Sequence, residues 1–446
     1  MPGFASRRFT LKAITAAVAL TGVSRCQLTL QTPIKIGILH SLSGTMAISE
    51  TVLKDTVLMA IDEINAKGGV MSKQLEPVIV DPASNWPLFA EKTKQLLGQD
   101  KVSVIFGCWT SVSRKSVLPV VEEMNGLLFY PVRYEGEGLS KNVFYTGAAP
   151  NQQAIPAVDY LISKEGGGAG RWALGAGRWV LLGTDYVYPR TTNKILRTHL
   201  KTKGVKDADI DEKYTPFGHS DCQTIVADVK KFSQSGKTAV VSTINGDSNV
   251  PLYKELGNAG LKAKDVPVVA FCVGEEELRG VDTKPLVGHL VAWNYFMAIK
   301  SPANTEFMKK WPAYAKAQKL PGADKPLTND PMEATYIGIN IWKQAVEKAK
   351  SLETDKVIAA MAGQTFNAPS SIVSKMDEKN HHLQKSVFIG EIKAADAADD
   401  TTIAFIQALA DDAVKIQGDA CWWCEMAGRK TRSQALSKRC QQMQTT

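Results

Sequence analysis

Gly107-Cys108-Trp109-Thr110-Ser111-Val112-Ser113-Arg114-Lys115, followed by Leu127-Leu128-Phe129-Tyr130-Pro131, decides the fold of this 446-residue chain. The apolar run Val102 to Phe106 enters the first stretch as a buried strand. The pattern then predicts a helix over Ser113 to Met124 and a second strand over Leu127 to Tyr130. Strand, helix and strand at that spacing build a parallel sheet, whose ligands sit outside the carboxyl ends of the strands. Trp109, Thr110, Ser111 and Tyr130 therefore converge on one crevice. None of the four is an activated nucleophile, so the set reads as recognition of a small, flat, polar solute.

Working outward, the same alternation continues on both sides. Upstream lie a strand over Ile34 to Leu39, a Ser41/Ser43/Gly44 turn, and a helix over Ala47 to Ala66 stopped by Gly68-Gly69. A strand over Leu75 to Val80 and a helix over Trp86 to Gln99 follow. After Gly147-Ala148-Ala149-Pro150 the pattern restarts with a helix over Gln152 to Ser163 and a strand over Trp179 to Leu182 leading into Gly183-Thr184-Asp185-Tyr186. A helix near Arg190 to Lys203 precedes a strand over Ala239 to Thr243 that ends in Ile244-Asn245-Gly246-Asp247-Ser248. A helix closing near Ala259 and strands over Val266 to Phe271 and Val387 to Lys393 complete it. The expected fold class is α/β: two doubly wound, Rossmann-like lobes around a cleft.

Composition sets bounds. With 44% hydrophobic residues the chain can fill two cores, and its net charge of +8 is spread without a compact basic block, which argues against a nucleic-acid partner. Ser6-Arg7-Arg8-Phe9-Thr10-Leu11-Lys12 has the twin-arginine export pattern and Ala13 to Val23 the apolar region behind it, so residues 1–30 read as a signal segment and the expected location is periplasmic. Arg25 before Cys26 makes a poor lipidation site. The seven cysteines form no disulfide framework, and Cys108, Cys222 and Cys272 read as small buried hydrophobes. Cys421 and Cys424 lack a second pair and a nearby histidine, His381-His382 reads as a surface loop, and no GxSxG elbow is present. No catalytic residue, metal or cofactor is expected. His40 reads as a hydrogen-bonded structural histidine. Asp185 and Glu135 read equally as helix caps, as salt-bridge partners or as ligand contacts. Gly168-Ala169-Gly170-Arg171-Trp172 recurs as Gly175-Ala176-Gly177-Arg178-Trp179, a local duplication, and 394–446 stands apart as an atypical C-terminal segment.

The stretches from Ile34 (IKIGILHSLSGTMAISE), Gly107 (GCWTSVSRKSVLPVVEE), Leu127 (LLFYPVRYEGEG), Gly183 (GTDYVYPRTTNKILR), Ser242 (STINGDSNVPLYKELG) and Asn329 (NDPMEATYIGI) carry a resemblance. The chain resembles type I periplasmic solute-binding proteins of the branched-chain amino acid/amide class, and within them the urea-binding subunits of urea ABC transporters, over roughly residues 34 to 393. The resemblance implies a non-enzymatic receptor that closes on urea or a short-chain amide and delivers it to the membrane permease of an ABC importer. It implies a three-crossing hinge near 148, 290 and 365, giving lobe 1 as 31–148 plus about 290–365 and lobe 2 as 149–289 plus about 366–393. It also implies ligand contacts from Trp109, Ser111, Tyr130, Val132 and Tyr186, with Asn245-Gly246-Asp247 and Cys272 to Glu275 forming the far wall. Ser111 Oγ or helix N–H groups near Ser113 would donate to a ligand carbonyl. Other readings are a branched-chain amino acid binder of the same fold and an amide sensor regulating gene expression. Arg133 departs from the uncharged polar residue usual in relatives, and a guanidinium in the cleft would favour an anionic or zwitterionic ligand.

Overall fold

A computed structural model describes residues 32–394 apart from 137, 164–176, 276, 279–280 and 371–372. The expected signal segment, most of the Gly/Trp duplication, the Cys421/Cys424 pair and all but the first residue of 394–446 lie outside the described residues.

The first sheet is wholly parallel. It comprises β1 (Ile34–Leu39), β2 (Leu75–Val80), β3 (Val104–Gly107), β4 (Leu128–Tyr130) and β5 (Val143–Tyr145) in the order β2-β1-β3-β4-β5. Helices α1 (Ala47–Ala66), α2 (Trp86–Lys94) and α3 (Ser111–Glu123) make the crossovers. Local chemistry sets their ends. Asn85 caps α2 by accepting from the Leu88 N–H, and Pro87 fits its first turn. The expected helix to Gln99 finishes as a π-helical turn over Gln95–Gln99.

The second sheet repeats the plan. Strands β6 (Arg178–Thr184), β7 (Ile210–Thr215), β8 (Thr238–Thr243), β9 (Val268–Ala270) and β10 (Leu290–Trp293) are parallel in the order β7-β6-β8-β9-β10. Helices α4 (Ala154–Ile162), α5 (Val187–Thr202), α6 (Gln223–Ser233) and α7 (Asn249–Asn258) pack around it. Along β6, Val180 and Leu182 enter one apolar cluster while Trp179 and Leu181 enter another, so both faces of the sheet are covered.

From Asn294 the chain returns to the first lobe as α8 (Pro302–Ala317), α9 (Asp330–Ala349) and α10 (Thr354–Met361). A small antiparallel sheet of β11 (Thr365–Asn367), β12 (Val373–Met376) and β13 (Leu383–Gln384) follows. The chain then crosses back to lay β14 (Phe388–Glu391) antiparallel against β10. Ala368, Met376 and Leu383 join the first core with Phe129 and Trp342, whereas Val387, Phe388 and Ile389 join the second-lobe clusters. The third crossing therefore lies near Lys385 and not near 365, and residues 366–384, expected with lobe 2, belong to lobe 1. The reason is packing: β12 and β13 have one buried face, and that face lies on the first core.

Asn294 ties the crossings together. Its Nδ2 donates to Gln152 O (3.0 Å) in the first crossing and to Ser386 O (2.6 Å) in the third. His381 and His382, expected on the surface, are buried beside the third crossing, stacked on Phe144 and Tyr145. Burial pushes the His382 imidazole down to about 4.

Candidate functional site

In an open parallel sheet the ligand crevice opens where strand order reverses, because the flanking loops part there. In lobe 1 that point lies between β1 and β3, and in lobe 2 between β6 and β8. The two switch points face each other across the cleft.

On the lobe 1 side, the loop after β1 is fixed by carboxylates. Glu50, in the first turn of α1, accepts from the Ser41 N–H (2.8 Å) and contacts His40 Nδ1 (3.3 Å), so His40 is a buried structural group. Asp81, just after β2, accepts from Leu42 N and Ser43 Oγ. After β3, Cys108 turns the chain with φ +66°, and Thr110 caps α3. The Thr110 Oγ1 accepts from the Ser113 N–H (3.1 Å) and donates to Ser113 Oγ (3.0 Å). Its hydroxyl is consumed by the cap, and so is the Ser113 N–H expected to serve a ligand carbonyl.

Tyr130 is likewise a support. Its hydroxyl donates to Trp109 O at 2.5 Å, and its ring meets Tyr134 and Tyr145 edge-on with the Arg114 guanidinium 5.3 Å from its centroid. Arg114 is buried and neutralised by Glu135 (2.9 Å), so Glu135 is a salt-bridge partner. Val132 is buried, its carbonyl carbon lying 2.1 Å from where a Cβ on Gly147 would fall, which makes glycine necessary at that approach. Trp109 and Ser111 differ from these. Both are buried, and Trp109 Nε1 and Ser111 Oγ have no hydrogen-bond partner among the described residues.

Lobe 2 supplies Tyr186, Tyr188, Asn245 and Cys272. Tyr186 is half-buried at the start of α5, packed on Phe217 (4.8 Å) and Tyr188 (6.2 Å), and burial raises its phenol well above the ordinary value. Asp185 pairs with Arg190 on the exposed side. Asn245 is buried, with its N–H on Thr184 Oγ1 and its Nδ2 on Thr243 O. Asp247 stands exposed at the rim, and its N–H points to Thr45 O across the cleft (3.5 Å). Cys272 is buried beside Tyr188.

The lobes are shut on one another. Ser49 Oγ on α1 donates to Glu277 Oε1 (2.7 Å), Trp86 packs on Phe217 (5.4 Å), and Gly246 approaches the loop before α1. The deepest link is Arg133. It follows β4, is 2% exposed, donates from Nη2 to Asn245 Oδ1 (2.8 Å), and lies 5.0 Å from the Trp109 ring and 5.9 Å from that of Tyr188. Of the eight expected contacts, then, Trp109, Ser111 and Asn245 line the shut cleft with Arg133, while Tyr186 flanks it. Thr110, Tyr130 and Val132 stand one step behind, and Asp247 stands at the rim. Ser49, Tyr188 and Glu277 were missed. Ser49 and Glu277 meet only through closure, and Tyr188 carried a signal in lying two residues beyond Tyr186.

The periplasmic binding protein domain family matches residues 34–404, and the chain belongs to that family. Its architecture is the type I fold of that family, with two parallel-sheet lobes. The chain is 23% identical over 386 residues to Leu/Ile/Val-binding protein homolog 7 of Brucella melitensis biotype 1, covering 84% of this chain and 92% of the relative. The fold matches that of a solute-binding protein of an ABC transporter from Rhodopseudomonas palustris HaA2, solved with p-hydroxybenzoic acid (TM-score 0.71, 20% identity, 85% of this chain and 96% of that one). It also matches a leucine-binding protein from Thermotoga maritima MSB8 (TM-score 0.67, 17% identity, 84% and 98%). Among the described residues no helix is long and apolar enough to cross a membrane.

Proposed function

We propose that this protein is the extracytoplasmic solute receptor of an ABC importer, closing its two lobes on a small polar solute and presenting the closed form to a membrane permease. The observation that carries this reading is the meeting of two switch points around Trp109 Nε1 and Ser111 Oγ, buried donors without hydrogen-bond partners among the described residues. A buried unpaired donor costs about 1–3 kcal/mol, and a ligand that accepts from it recovers that cost. Binding energy gained only when both lobes touch the solute favours the shut state.

For the solute, the kinship with Leu/Ile/Val-binding relatives supports the amino acid class. The motifs around Trp109 and Tyr130 support urea or a short-chain amide as the second reading. Calorimetric titration of the purified chain with leucine, isoleucine, valine, urea and acetamide tests both. Saturable heat accompanied by a smaller radius of gyration in small-angle scattering is the expected outcome. Heat without compaction removes the closure mechanism.

A further inference from the structure

Three cations are buried among the described residues: Arg114, Arg133 and Lys385. Two have carboxylate partners. Arg114 contacts Glu135 at 2.9 Å, and Lys385 contacts Asp330 at 2.8 Å and Glu333 at 3.2 Å. Arg133, equally enclosed, makes no ion pair with any described residue, and its Nη1 has no hydrogen-bond partner among them. Removing a guanidinium from water costs several kcal/mol unless an anion compensates. The Trp109 and Tyr188 rings repay only about 0.5–2 kcal/mol of that through their π faces. The nearby Glu277 lies within electrostatic reach of Arg133 but forms no ion pair with it, its oxygens accepting instead from Ser49 Oγ and the Gly274 N–H.

From this imbalance we infer that the solute carries a carboxylate, and that Arg133 is the residue that selects it. The inference rests on the receptor reading above and narrows its ligand. A guanidinium offers five N–H donors in a planar fork, which matches a carboxylate in two parallel bonds. Here one donor is spent on Asn245 of the opposite lobe, and the Cys272 thiol and the Tyr188 hydroxyl also accept from the guanidinium. Nη1 remains for the ligand, with Trp109 Nε1 and Ser111 Oγ as further unpartnered donors in the cleft. Every one of these groups donates, so the site asks for an acceptor-rich, anionic group. Urea, with four N–H donors and one carbonyl, satisfies neither the charge nor the donor count. Because Arg133 also bridges the lobes through Asn245, neutralising it by a ligand couples binding to the shut form.

The experiment is titration of wild-type, R133Q and R133K protein with leucine, 4-hydroxybenzoate, urea and acetamide. Glutamine removes the charge on a shorter side chain, whereas lysine keeps the charge and loses the planar fork, so the two variants separate loss of charge from loss of the structural tie. Wild type is expected to bind leucine or 4-hydroxybenzoate, the first marking an α-amino acid and the second a simple carboxylate. R133Q should weaken that binding by about 100-fold or more and R133K by less. Thermal unfolding of each variant verifies that it is folded. Wild-type preference for urea or acetamide, or equal carboxylate affinity in R133Q, overturns the carboxylate assignment and leaves the receptor reading standing. Silence of a folded wild type with all four probes overturns both.

Discussion

Lys385 sits where the chain crosses between lobes for the third time, and its replacement offers a test of the hinge that needs no ligand. The ammonium is 1% exposed and lies 2.8 Å from Asp330 Oδ1 and 3.2 Å from Glu333 Oε2, both in the first turn of α9. K385M keeps much of the aliphatic bulk and removes the charge, leaving two buried carboxylates facing each other without a cation. Breaking a buried pair from one side costs about 3–5 kcal/mol, most of it the penalty of stranding the remaining charge.

The pH dependence gives this prediction its sign. In wild type the Asp330 and Glu333 charges raise the Lys385 pKa, while burial opposes them, so its stabilisation is complete below the unfolded lysine value and is lost only in strong alkali. Without Lys385, the Glu333 carboxyl moves further above its unfolded value of about 4.3. Burial already raises Glu333 in wild type. A carboxyl whose folded pKa is raised destabilises the fold at neutral pH, and the deficit shrinks as acid protonates it. Guanidinium chloride denaturation, used in place of urea because urea is a candidate ligand, should therefore show a K385M deficit of about 3–5 kcal/mol at pH 7.5 and less at pH 5. Adding D330N and E333Q to K385M should restore much of the loss. A deficit under about 1 kcal/mol, or one that grows on acidification, would refute the view that this trio is a charge-balanced anchor.

Other expectations follow from single contacts. G246A places a methyl 2.8 Å from Thr45 O across the shut cleft and an alanine at φ +67°, so it should lower thermal stability by about 1–2 kcal/mol and weaken solute binding by about 5–150-fold, as read by calorimetry and titration. N294A leaves the carbonyls of Gln152 and Ser386 without their shared donor, at about 1–3 kcal/mol, and should speed amide hydrogen exchange through Phe388–Glu391. His289 accepts from the Val268 N–H at Nδ1 and donates from Nε2 to Leu261 O, and burial holds it down to about 4. The folded state resists its protonation, so stability should fall as pH drops from about 6.5 toward 4, with part of that slope absent in H289Q denaturation curves.

The helix α1 and the largely exposed edge strand β2 lie at their expected residues, and where strands are apolar on both faces sequence alone locates them: β1 lies at its expected residues and β8 begins one residue early. Such runs leave no choice of register or face. Elements that depend on distant partners are less visible. β5 has three residues and is defined by its ladder with β4, and β7 reads Ile-Asp-Glu-Lys-Tyr-Thr, a polar edge strand whose identity comes from pairing with β6. The third crossing was misjudged for the same reason. Residues 365–384 carry short strands of mixed polarity, and only their contact with Phe129 and Trp342 across the first core assigns them to lobe 1.

At the site, the sequence located the loops more accurately than the roles within them. Trp109, Thr110, Ser111 and Tyr130 lie close together at the ends of β3 and β4, and φ +66° at Cys108 and the α3 cap decide how their side chains are used. That geometry turns the Thr110 hydroxyl inward to Ser113 and leaves Trp109 Nε1 and Ser111 Oγ unpaired. The Tyr130 hydroxyl is spent on holding the Trp109 carbonyl. Residue type could not separate these cases, since serine, threonine and tyrosine hydroxyls serve caps and ligands equally well. Charge could. A buried arginine must be compensated, and Arg133 makes no ion pair with a described residue, which is why its counter-ion is proposed to come from the cleft. On that proposal Arg133 bears most directly on specificity, because its charge decides which ligand leaves the shut cleft balanced.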